Sequence, residues 1–266
     1  MLAQQRQQTI LERVRSSGGV RVADLVREFG VSDMTIRRDL EALAERGLLE
    51  KVHGGATATG PGRAEEPGFA AKSARQQAEK EAIARRAAEL VRPGTAVALS
   101  AGTTTWTLAR FLVDVPELTV ITNSVRIADV FHRADRADRT VVLTGGVRTP
   151  SDALVGPVAV AAIRGLHVDT LFLGVHGMSA RAGFTTPNLL EAETDRELVA
   201  SAHRLVVPAD HTKWGTVGIS TIARLADAHV VISDPGLPRE AREEITAEAG
   251  ELIIAEPEQE RQAADR

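Results

Sequence analysis

The second two-thirds of the chain consists of short apolar runs that recur at intervals, each followed by a loop of small polar residues. The runs are rich in valine, isoleucine and leucine, and they read TAVALS, LTVIT, RTVVLTGG, VDTLFLG, HRLVVPAD and AHVVISD. Aliphatic runs without alternation are typical of strands that are buried on both faces of a parallel sheet. Segments with helical periodicity, such as residues 190–202, separate several of them. The pattern therefore predicts an α/β domain with a mostly parallel sheet.

The loops that follow these runs carry small and hydroxyl-bearing residues. In open α/β sheets, ligands bind beyond the carboxyl ends of the strands. The loop GTTT at residues 102–105 directly precedes a helical segment, so its backbone amides can face an anion with help from the helix dipole. Lys213 offers a positive charge, and Asp210 can accept hydrogen bonds from sugar hydroxyls. These loops predict a site for a phosphorylated, hydroxyl-rich small molecule.

Each of these features also has a plainer interpretation. The GTTT loop can be a tight turn with a helix cap, and Gly145 and Gly146 can form a turn alone. Asp210 and Lys213 can form a surface ion pair. The ligand interpretation rests on the set, because these loops fall at successive strand ends.

The first fifty-odd residues follow another rhythm, that of three short helices. Apolar residues recur at helical spacing in residues 5–14 and again in VADLVREF, after which Gly30 is placed to end the second helix. Ser32 is a good N-cap for a third helix. The inward-facing positions of that helix are Ile36, Leu40 and Leu43. A strand-like run with a glycine pair, LLEKVHGGA, follows, and the whole predicts a winged helix-turn-helix domain.

The third helix carries an arginine pair near its N-terminus, off the apolar stripe. In a helix-turn-helix, the first residues of the second helix of the motif touch bases, and arginine can donate two parallel hydrogen bonds to guanine. Short hydroxyl side chains at the helix start suit phosphate. The candidate DNA contacts are Ser32, Thr35, Arg37 and Arg38, with Lys51 and His53 on the wing. The alternative is an ordinary solvated helix face, in which Asp33, Asp39 and Glu41 pair with the arginines.

Charge and composition limit how such a chain meets its partners. The formal net charge is −4, so contact with DNA must come from a local patch. The chain has no cysteine, which excludes disulfides and thiolate metal sites, and its histidines lack metal-ligand spacing; we expect neither metal nor cofactor. No apolar run approaches the ~20 residues of a membrane span, and the N-terminus is unlike a signal peptide. We expect a cytoplasmic protein without membrane contact.

Two sets of motifs resemble one family. The first set is similar to the DNA-binding domain of the DeoR family of bacterial transcriptional regulators, whose signature VSxxTIRRDL, GLL and HGGA is present here without a gap. The second set is similar to the sensor domain of that family and reads LSAGTTTWTLARFL, VITNS, LTGG, FLGVHGMSARAGFTT and ADHTKWG. The resemblance implies a fold like that of ribose phosphate isomerases and a phosphorylated sugar or related metabolite as effector.

The resemblance also implies roles for particular residues. It supports DNA contacts at the four helix positions, and Asp39 is expected to orient an arginine or to cap locally. The implied effector contacts are Gly102, Thr103, Thr104, Asn123, Gly145, Gly146, Gly174, Asp210 and Lys213. Ser100 is a further candidate, and it stands where the family often has an aspartate, so a negative charge is missing there. The family motif DxSK reads Asp-His-Thr-Lys at residues 210–213.

These observations predict a transcriptional repressor of a carbohydrate-metabolism operon that binds operator DNA as a homo-oligomer, a dimer or a tetramer. We expect the helix-turn-helix domain over residues 1–56 with its motif at about 20–39, a linker over 57–77, the sensor domain over 78–256 and a disordered tail over 257–266. The alternative is a sugar-phosphate isomerase-like enzyme with an attached DNA-binding domain, for which Asp210 and Glu193 are the candidate bases. We expect no catalysis, because a sensor that consumed its effector would end its own signal.

Overall fold

The computed structural model describes residues 3–17, 19–46, 48–52, 54–58 and 68–257. The chain divides into two compact units, Met1–Gly62 and Arg63–Arg266. In the described ranges no helix has the length and apolar character needed to cross a membrane. The same ranges contain no group of three His, Asp or Glu side chains placed to hold a metal ion.

The first unit contains three helices and a small antiparallel sheet. Its elements are α1 (Ala3–Ser17), β1 (Gly19–Arg21), α2 (Val22–Phe29), α3 (Asp33–Glu45), β2 (Leu49–Val52) and β3 (Gly55–Ala58), with the strands in the order β1-β3-β2. The predicted inward positions Ile36, Leu40 and Leu43 are buried in one core with Ile10. Gly30 ends α2 in the left-handed conformation, with φ of 63°, and its amide donates to the Val26 carbonyl. The winged helix-turn-helix prediction is confirmed.

The glycine pair of the wing forms a turn within the first unit and does not mark its end. Gly54 has φ of 81°, and β3 continues from Gly55 to Ala58, so the first residues of the predicted linker belong to a strand. A side chain at Gly55 would overlap the Val20 carbonyl oxygen of β1. Because Gly55 has no side chain, β3 can lie next to β1. The sequence analysis did not predict β1.

The second unit is organised around a seven-stranded sheet in which every pair of neighbours is parallel. Its order is β15-β14-β12-β9-β4-β5-β6. The strands are β4 (Ala96–Leu99), β5 (Thr119–Thr122), β6 (Thr140–Leu143), β9 (Val168–Phe172), β12 (Ala202–Pro208), β14 (Val230–Ser233) and β15 (Leu252–Ile254). All six apolar runs are strands of this sheet, and the α/β prediction is confirmed.

Helices pack on both faces of the sheet. They are α5 (Gln77–Ala88), α6 (Thr103–Phe111), α7 (Val125–Arg133), α8 (Pro157–Ile163), α9 (Leu189–Ser201) and α10 (Arg239–Glu248), whereas the short helix α4 (Phe69–Ser73) packs against α6. Successive residues of β4 belong to different cores: Val97 and Leu99 pack with α5, α6 and α7, whereas Ala98 belongs to the core of α8, α9 and α10. Burial on both faces explains why the strands are aliphatic without alternation.

Several short strands lie outside the main sheet and were not predicted. The hairpin β7–β8 pairs Val147–Arg148 with Leu154–Val155, and a separate antiparallel sheet contains β10 (Gly177–Ser179), β11 (Gly183–Thr186) and β13 (Ser220–Ala223). Helix α4 lies in the stretch expected to be a linker, and its Phe69 is buried. Residues 59–67 of that stretch, and residues 258–266 of the expected tail, lie outside the described residues.

Candidate functional site

The N-terminus of α3 is built by two hydroxyl residues. Ser32 caps the helix as predicted: its side chain accepts a hydrogen bond from the Thr35 amide at 3.3 Å. The two side-chain oxygens lie 2.9 Å apart and share a hydrogen bond. Two of the predicted phosphate contacts therefore form one structural unit at the start of the helix.

The two arginines of α3 differ in their surroundings. The Arg37 guanidinium donates two hydrogen bonds to the Asp33 carboxylate one turn earlier, from Nε to Oδ1 and from Nη2 to Oδ2, the second at 3.4 Å. Hydrogen bonding to Asp33 raises the pKa of Arg37. Arg38 is exposed and makes no hydrogen bond or ion pair with any residue that the structure describes. The solvated-face interpretation therefore holds for Arg37 in this state, while Arg38 is free to meet a partner.

Asp39 orients an arginine, as expected, and that arginine lies outside the Arg37–Arg38 pair. It is 4% exposed and accepts hydrogen bonds from Arg6 Nε at 2.6 Å and from Gln7 Nε2 at 3.0 Å. The arginine that Asp39 orients thus comes from α1, and the pair ties α1 to α3. A residue 33 positions away could not be selected from spacing alone.

The wing and the outer face of α3 are linked by an ion pair. Lys51 Nζ lies 2.8 Å from Glu41 Oε1, and this contact lowers the pKa of Glu41. His53 lies outside the described residues. Met34, in the first turn of α3, is 62% exposed and is a further residue of the outer face of this helix. The sequence analysis did not single it out, although its position off the apolar stripe indicated an exposed side chain.

A cleft in the second unit lies where three neighbouring strands end. Because β9, β4 and β5 are adjacent and parallel, the residues that follow them meet at one edge of the sheet. Six of the ten predicted effector residues line this cleft, namely Gly102, Thr103, Thr104, Asn123, Gly174 and Lys213. Its volume is about 50 Å³, room for about four ordered waters.

One end of the cleft is suited to an anion. Helix α6 begins at Thr103 after Gly102, which is extended and provides no side-chain cap. Its first amides therefore depend on water or a ligand. The Lys213 ammonium makes no hydrogen bond or ion pair with the described residues, and it lines the same cleft. We call Gly102–Thr104 with Lys213 the anion end.

Helix α4 supplies another wall. Phe69 packs edge-on against the Trp106 ring at 5.8 Å, and Lys72 lines the cleft. From α5, the buried Lys80 donates to the Lys72 carbonyl at 2.6 Å and to the Arg75 carbonyl. Burial lowers the pKa of Lys80 to about 8, although nearby Asp210 opposes this shift. These contacts explain why so short a helix forms.

The lining of the cleft also includes two carboxyl groups on consecutive turns of α9. Glu191 accepts hydrogen bonds from three hydroxyl groups, those of Thr149 at 3.0 Å, Thr186 at 2.9 Å and Ser151. Asp195 is 7% exposed, and burial together with the Glu191 charge raises its pKa well above the ordinary range. We call Glu191 and Asp195 the carboxyl end.

Four predicted effector residues do not line the cleft. Ser100 is fully buried, and its Oγ accepts from the Gly174 amide at 2.8 Å, so the serine keeps an acceptor at this position and joins β4 to β9. Asp210 is also buried and accepts from the Thr212 amide at 3.1 Å. It therefore caps the short 3-10 turn His211–Lys213 and does not pair with Lys213.

Gly145 and Gly146 follow β6, which lies two strands away from β4. Their φ angles are 73° and 123°, and a Cβ at Gly146 would lie 2.6 Å from the Val155 carbonyl oxygen. The pair turns the chain into the β7–β8 hairpin, as the plainer interpretation held.

The sequence analysis also missed much of the cleft wall. The additional lining residues are Phe69, Lys72, Ala101, Ser151, Ala153, Val175, His176, Thr186, Glu191 and Asp195. One signal was available: Glu191 and Asp195 are four residues apart in a predicted helix and therefore share a face.

A helix-turn-helix unit joined to an α/β unit with a strand-end cleft defines a transcriptional regulator with a separate sensor domain. Residues 6–60 match the family model of the DeoR-like helix-turn-helix domain, and residues 75–235 match that of the DeoR C terminal sensor domain. The chain belongs to the DeoR family, and the resemblance seen in the sequence is confirmed.

Relatives match along almost the whole chain. The HTH-type transcriptional regulator GlpR of Haloferax volcanii is 38% identical over 96% of this chain and 98% of its own length. The uncharacterised HTH-type transcriptional regulator YgbI of Escherichia coli (strain K12) is 36% identical over 97% of this chain and 100% of its own length. The glycerol-3-phosphate regulon repressor of the same strain is 29% identical over 88% and 92%.

Among solved structures, a ribose 5-phosphate isomerase A from Methanocaldococcus jannaschii has a TM-score of 0.38 and 16% identity, covering 51% of this chain and 53% of that chain. At that TM-score the likeness carries no weight for the chemistry of the cleft.

Proposed function

We propose that this regulator represses an operon of carbohydrate metabolism, and that a phosphorylated sugar or related metabolite in the cleft controls its binding to DNA. The observation that carries the proposal is the anion end, where open helix amides and the Lys213 ammonium face a cleft walled by hydroxyl groups. A relative of this chain is named as a repressor of a glycerol-3-phosphate regulon, which agrees with both parts of the proposal.

On the DNA side, Arg38 is the principal base contact in this proposal, because its guanidinium is exposed and unpaired among the described residues. Arg37 reads DNA only by exchanging Asp33 for a base or a phosphate. Ser32 and Thr35 hold phosphate at the helix start, with Lys51 and His53 on the wing. The net charge of −4 confines this attraction to the one patch.

A homo-oligomer, a dimer or a tetramer, is part of the same proposal, since paired half-sites require paired reading helices. Strand β6 is an edge of the main sheet. Apolar side chains are exposed along and just beyond it, at Leu143 (42%), Val147 (66%) and Val158 (64%). An apolar sheet edge of this kind suits a second copy of the chain.

Control by an effector requires that the effector binds the DNA-competent and DNA-incompetent states with different affinities. The proposal therefore predicts that operator DNA and effector alter each other's dissociation constants by the same factor. Binding without turnover is sufficient for this role.

The enzyme alternative needs a carboxylate base within reach of the substrate. Of the two candidates, Asp210 is buried as a turn cap, and Glu193 lies exposed on α9 outside the cleft lining. Glu191 does reach the cleft, but three hydroxyl donors already occupy its oxygens. These positions favour a sensor over an isomerase.

The test begins with DNA sites selected from a random duplex library by the purified full-length protein. Fluorescence anisotropy on a selected site is then measured with phosphorylated sugars, each paired with its unphosphorylated parent. A phosphosugar that changes DNA affinity and raises the melting temperature, while its parent does neither, supports the proposal. Melting temperatures that respond to no phosphorylated compound would reject the effector class and leave DNA binding standing.

The enzyme alternative is tested in the same samples. Each active phosphosugar is incubated with the protein and followed by NMR for conversion to an isomer. Conversion that Glu191→Gln abolishes would favour an enzyme, and an unchanged spectrum supports a sensor.

A further inference from the structure

Helix α4 is the part of the cleft wall that lies nearest in sequence to the first unit. Only residues 59–68 separate it from β3, a strand of that unit. Phe69 and Lys72 of α4 line the cleft, so an occupant that fills the cleft contacts this helix. Helix α4 therefore has the position in the chain that a link between the effector and the first unit requires.

The N-terminal residue of α4 carries most of its attachment to the second unit. Phe69 is 8% exposed and packs edge-on against Trp106 of α6, with the ring centroids 5.8 Å apart. The Arg126 guanidinium of α7 lies 4.3 Å from the centroid of the Phe69 ring, within the range of a cation–π interaction. The Phe69 amide donates to the Pro150 carbonyl at 3.4 Å. Phe69 thus joins α4 to α6, to α7 and to the turn of the β7–β8 hairpin.

The C-terminal end of α4 is held by Lys80 of α5. The Lys80 ammonium donates to the Lys72 carbonyl at 2.6 Å and to the Arg75 carbonyl, and so satisfies carbonyls that a helix end leaves open. A helix of five residues has too few internal hydrogen bonds to persist alone. Helix α4 therefore keeps its form only while these contacts to the rest of the unit last, and we call this arrangement docked.

The junction between α4 and α5 has a strained backbone. Gln76 has φ of 50° and ψ of 48°, a left-handed conformation that costs free energy for a residue with a Cβ. Its carbonyl accepts from the Lys80 amide at 3.0 Å, at the start of α5. Rotation about φ of Gln76 moves the preceding residues and leaves this carbonyl in place. The docked position of α4 therefore requires the left-handed angle, whereas α5 does not.

We propose that residues 69–76, which we call the strap, dock more firmly when the effector is bound, and that this docking alters DNA binding; the proposal rests on the function proposed above. An effector in the cleft packs against Phe69 and Lys72 only while the strap is docked, so it binds that state more tightly. Release at Gln76 adds the eight residues of the strap to the connection between the two units.

The added length is large on the scale of an operator. Eight extended residues span at most about 26–29 Å, and half-sites one helical turn apart are separated by about 34–36 Å. Because the effective concentration of a tethered binding unit depends on the length of its tether, the docked and released states give paired reading helices different freedom to meet two half-sites.

The test uses two substitutions at the junction and two aromatic substitutions, all in the full-length protein. Gln76→Pro cannot adopt a positive φ, so it forbids the docked strap while it keeps the carbonyl at the start of α5. Gln76→Gly adopts the left-handed conformation freely and is the matched control. Phe69→Ala removes the docking ring, and Phe111→Ala, which removes a partly exposed ring of α6, is its control. Unfolding curves verify that all four variants fold.

Two measurements follow the strap itself. Trypsin cleaves after Lys72 and Arg75 when the strap is released, and mass spectrometry locates these cuts. In a Trp214→Phe background, Trp106 is the sole tryptophan. Trp106 lies outside the cleft lining as the structure describes it, so its emission reports contact with Phe69 rather than contact with a ligand.

The probe is whichever of glycerol 3-phosphate, glucose 6-phosphate and fructose 6-phosphate raises the melting temperature most. It should slow cleavage after Lys72 and Arg75 in the parent and in Gln76→Gly. Gln76→Pro and Phe69→Ala should be cut faster than their controls, with a red-shifted Trp106 emission, and the probe should not protect Gln76→Pro. Both variants should bind the probe at least about tenfold more weakly than their controls.

DNA binding then tests the link between the units. The probe should change the affinity of Gln76→Gly for a selected site by roughly 5–150-fold, and that of Gln76→Pro by less than about twofold. Without the probe, replacing glycine by proline at this position should change DNA affinity in the direction opposite to the effect of the probe on Gln76→Gly. The reason is that proline empties the docked state that the probe fills.

Three results would overturn the strap. One is a probe that binds but leaves the cleavage rate after Lys72 and Arg75 unchanged, and another is an equal DNA response of Gln76→Pro and Gln76→Gly to the probe. The third is a glycine-to-proline change in DNA affinity with the same sign as the probe effect.

Failure of the proposed function gives a different result. If none of the three phosphates raises the melting temperature, that effector class is wrong, and the strap is judged on the effector-free protein. Faster cleavage together with an altered DNA affinity in Gln76→Pro relative to Gln76→Gly would still support it. Equal cleavage or equal DNA affinity of the two variants would overturn it.

Discussion

The two units present their candidate sites in opposite ways. The candidate DNA-reading surface of the first unit comes from one helix start, residues 32–38. Its charged side chains are exposed: Arg37 pairs with Asp33, and Arg38 has no partner among the described residues. The cleft of the second unit is assembled from segments as distant in sequence as Phe69 and Lys213, and one of its two acids, Asp195, is buried. The first surface is therefore local and screened by solvent, whereas the second depends on the whole sheet and on desolvation.

The difference also concerns which residues carry structure and which face a partner. In the first unit the outward residues leave the core intact when they change. In the second, Ser100 and Asp210 were expected to touch the effector, yet they serve as internal hydrogen-bond acceptors that shape the loops. Substitutions in the cleft are thus more prone to combine loss of binding with loss of structure.

The largest expected effect is a loss of stability in the first unit that leaves the second unit unchanged. Asp39→Ala leaves Arg6 as an unpaired buried charge, which should destabilise the first unit by about 3–5 kcal/mol. Both tryptophans, Trp106 and Trp214, belong to the second unit. Circular dichroism should therefore detect early loss of helix in urea while the tryptophan fluorescence transition stays in place.

Asp24→Ala, which removes an exposed partner of Arg27, is the control and should leave both transitions unchanged. Equal shifts of the fluorescence and dichroism transitions in Asp39→Ala would mean that the two units unfold together. The expectation that the first unit unfolds separately would then be wrong.

A smaller effect is expected in the cleft. Lys213→Ala should weaken the binding of an active phosphosugar by about 1.5–3 kcal/mol, the range for hydrogen bonds to charged groups. Affinity for DNA without effector should be unchanged. Arg181→Ala removes a positive charge from an exposed loop of the same unit and serves as the control. Loss of effector-free DNA binding would identify Lys213 as a structural residue instead.

On the DNA surface, Arg38→Ala should cost roughly 1–3 kcal/mol of binding to the selected site if the side chain makes a bidentate base contact. The matched control is Arg46→Ala, which removes the same charge at the other end of α3. Anisotropy titrations on selected and scrambled duplexes measure both. If Arg38→Ala and the parent bind the selected site equally, Arg38 does not read bases.

The smallest effect concerns the neighbouring arginine. Asp33→Asn removes the acid that engages Arg37 and should leave the unfolding midpoint unchanged, because the pair is exposed. DNA affinity should rise modestly, since a negative charge leaves the patch and Arg37 is released. Weaker DNA binding by this variant would show that Asp33 holds Arg37 in its reading position.

The fold could be predicted from the sequence where one physical signal dominates. Strands buried on both faces need aliphatic runs, and all six runs became neighbours in the parallel sheet. Gly30 and Ser32 marked helix ends because their chemistry suits caps. The short strands β7, β8, β10, β11 and β13 carry mixed residues, and they form through pairing with distant segments that no local pattern reveals.

The cleft was predictable only in part, for a related reason. Gly102, Asn123 and Gly174 follow strands that are adjacent, so the rule about strand ends located them correctly. The carboxyl end comes from α9, whose orientation depends on packing against the sheet. Phe69 and Lys72 come from α4, a helix of five residues that tertiary contacts hold in place, and local propensity does not predict such a helix.

The strand order of the second unit also bears on the synthesis of the protein. Strand β4 pairs with β9 some seventy residues later, and β14 pairs with β15 at Leu252–Ile254, so the sheet is completed only when the end of the chain has emerged from the ribosome. The first unit has its contacts within its own short stretch and can fold far sooner. Translating roughly 200 further residues at about 5–20 residues per second takes roughly 10–40 s. During that interval the first unit of a nascent chain can be folded while the second unit is not. Such a chain has no cleft and cannot respond to an effector.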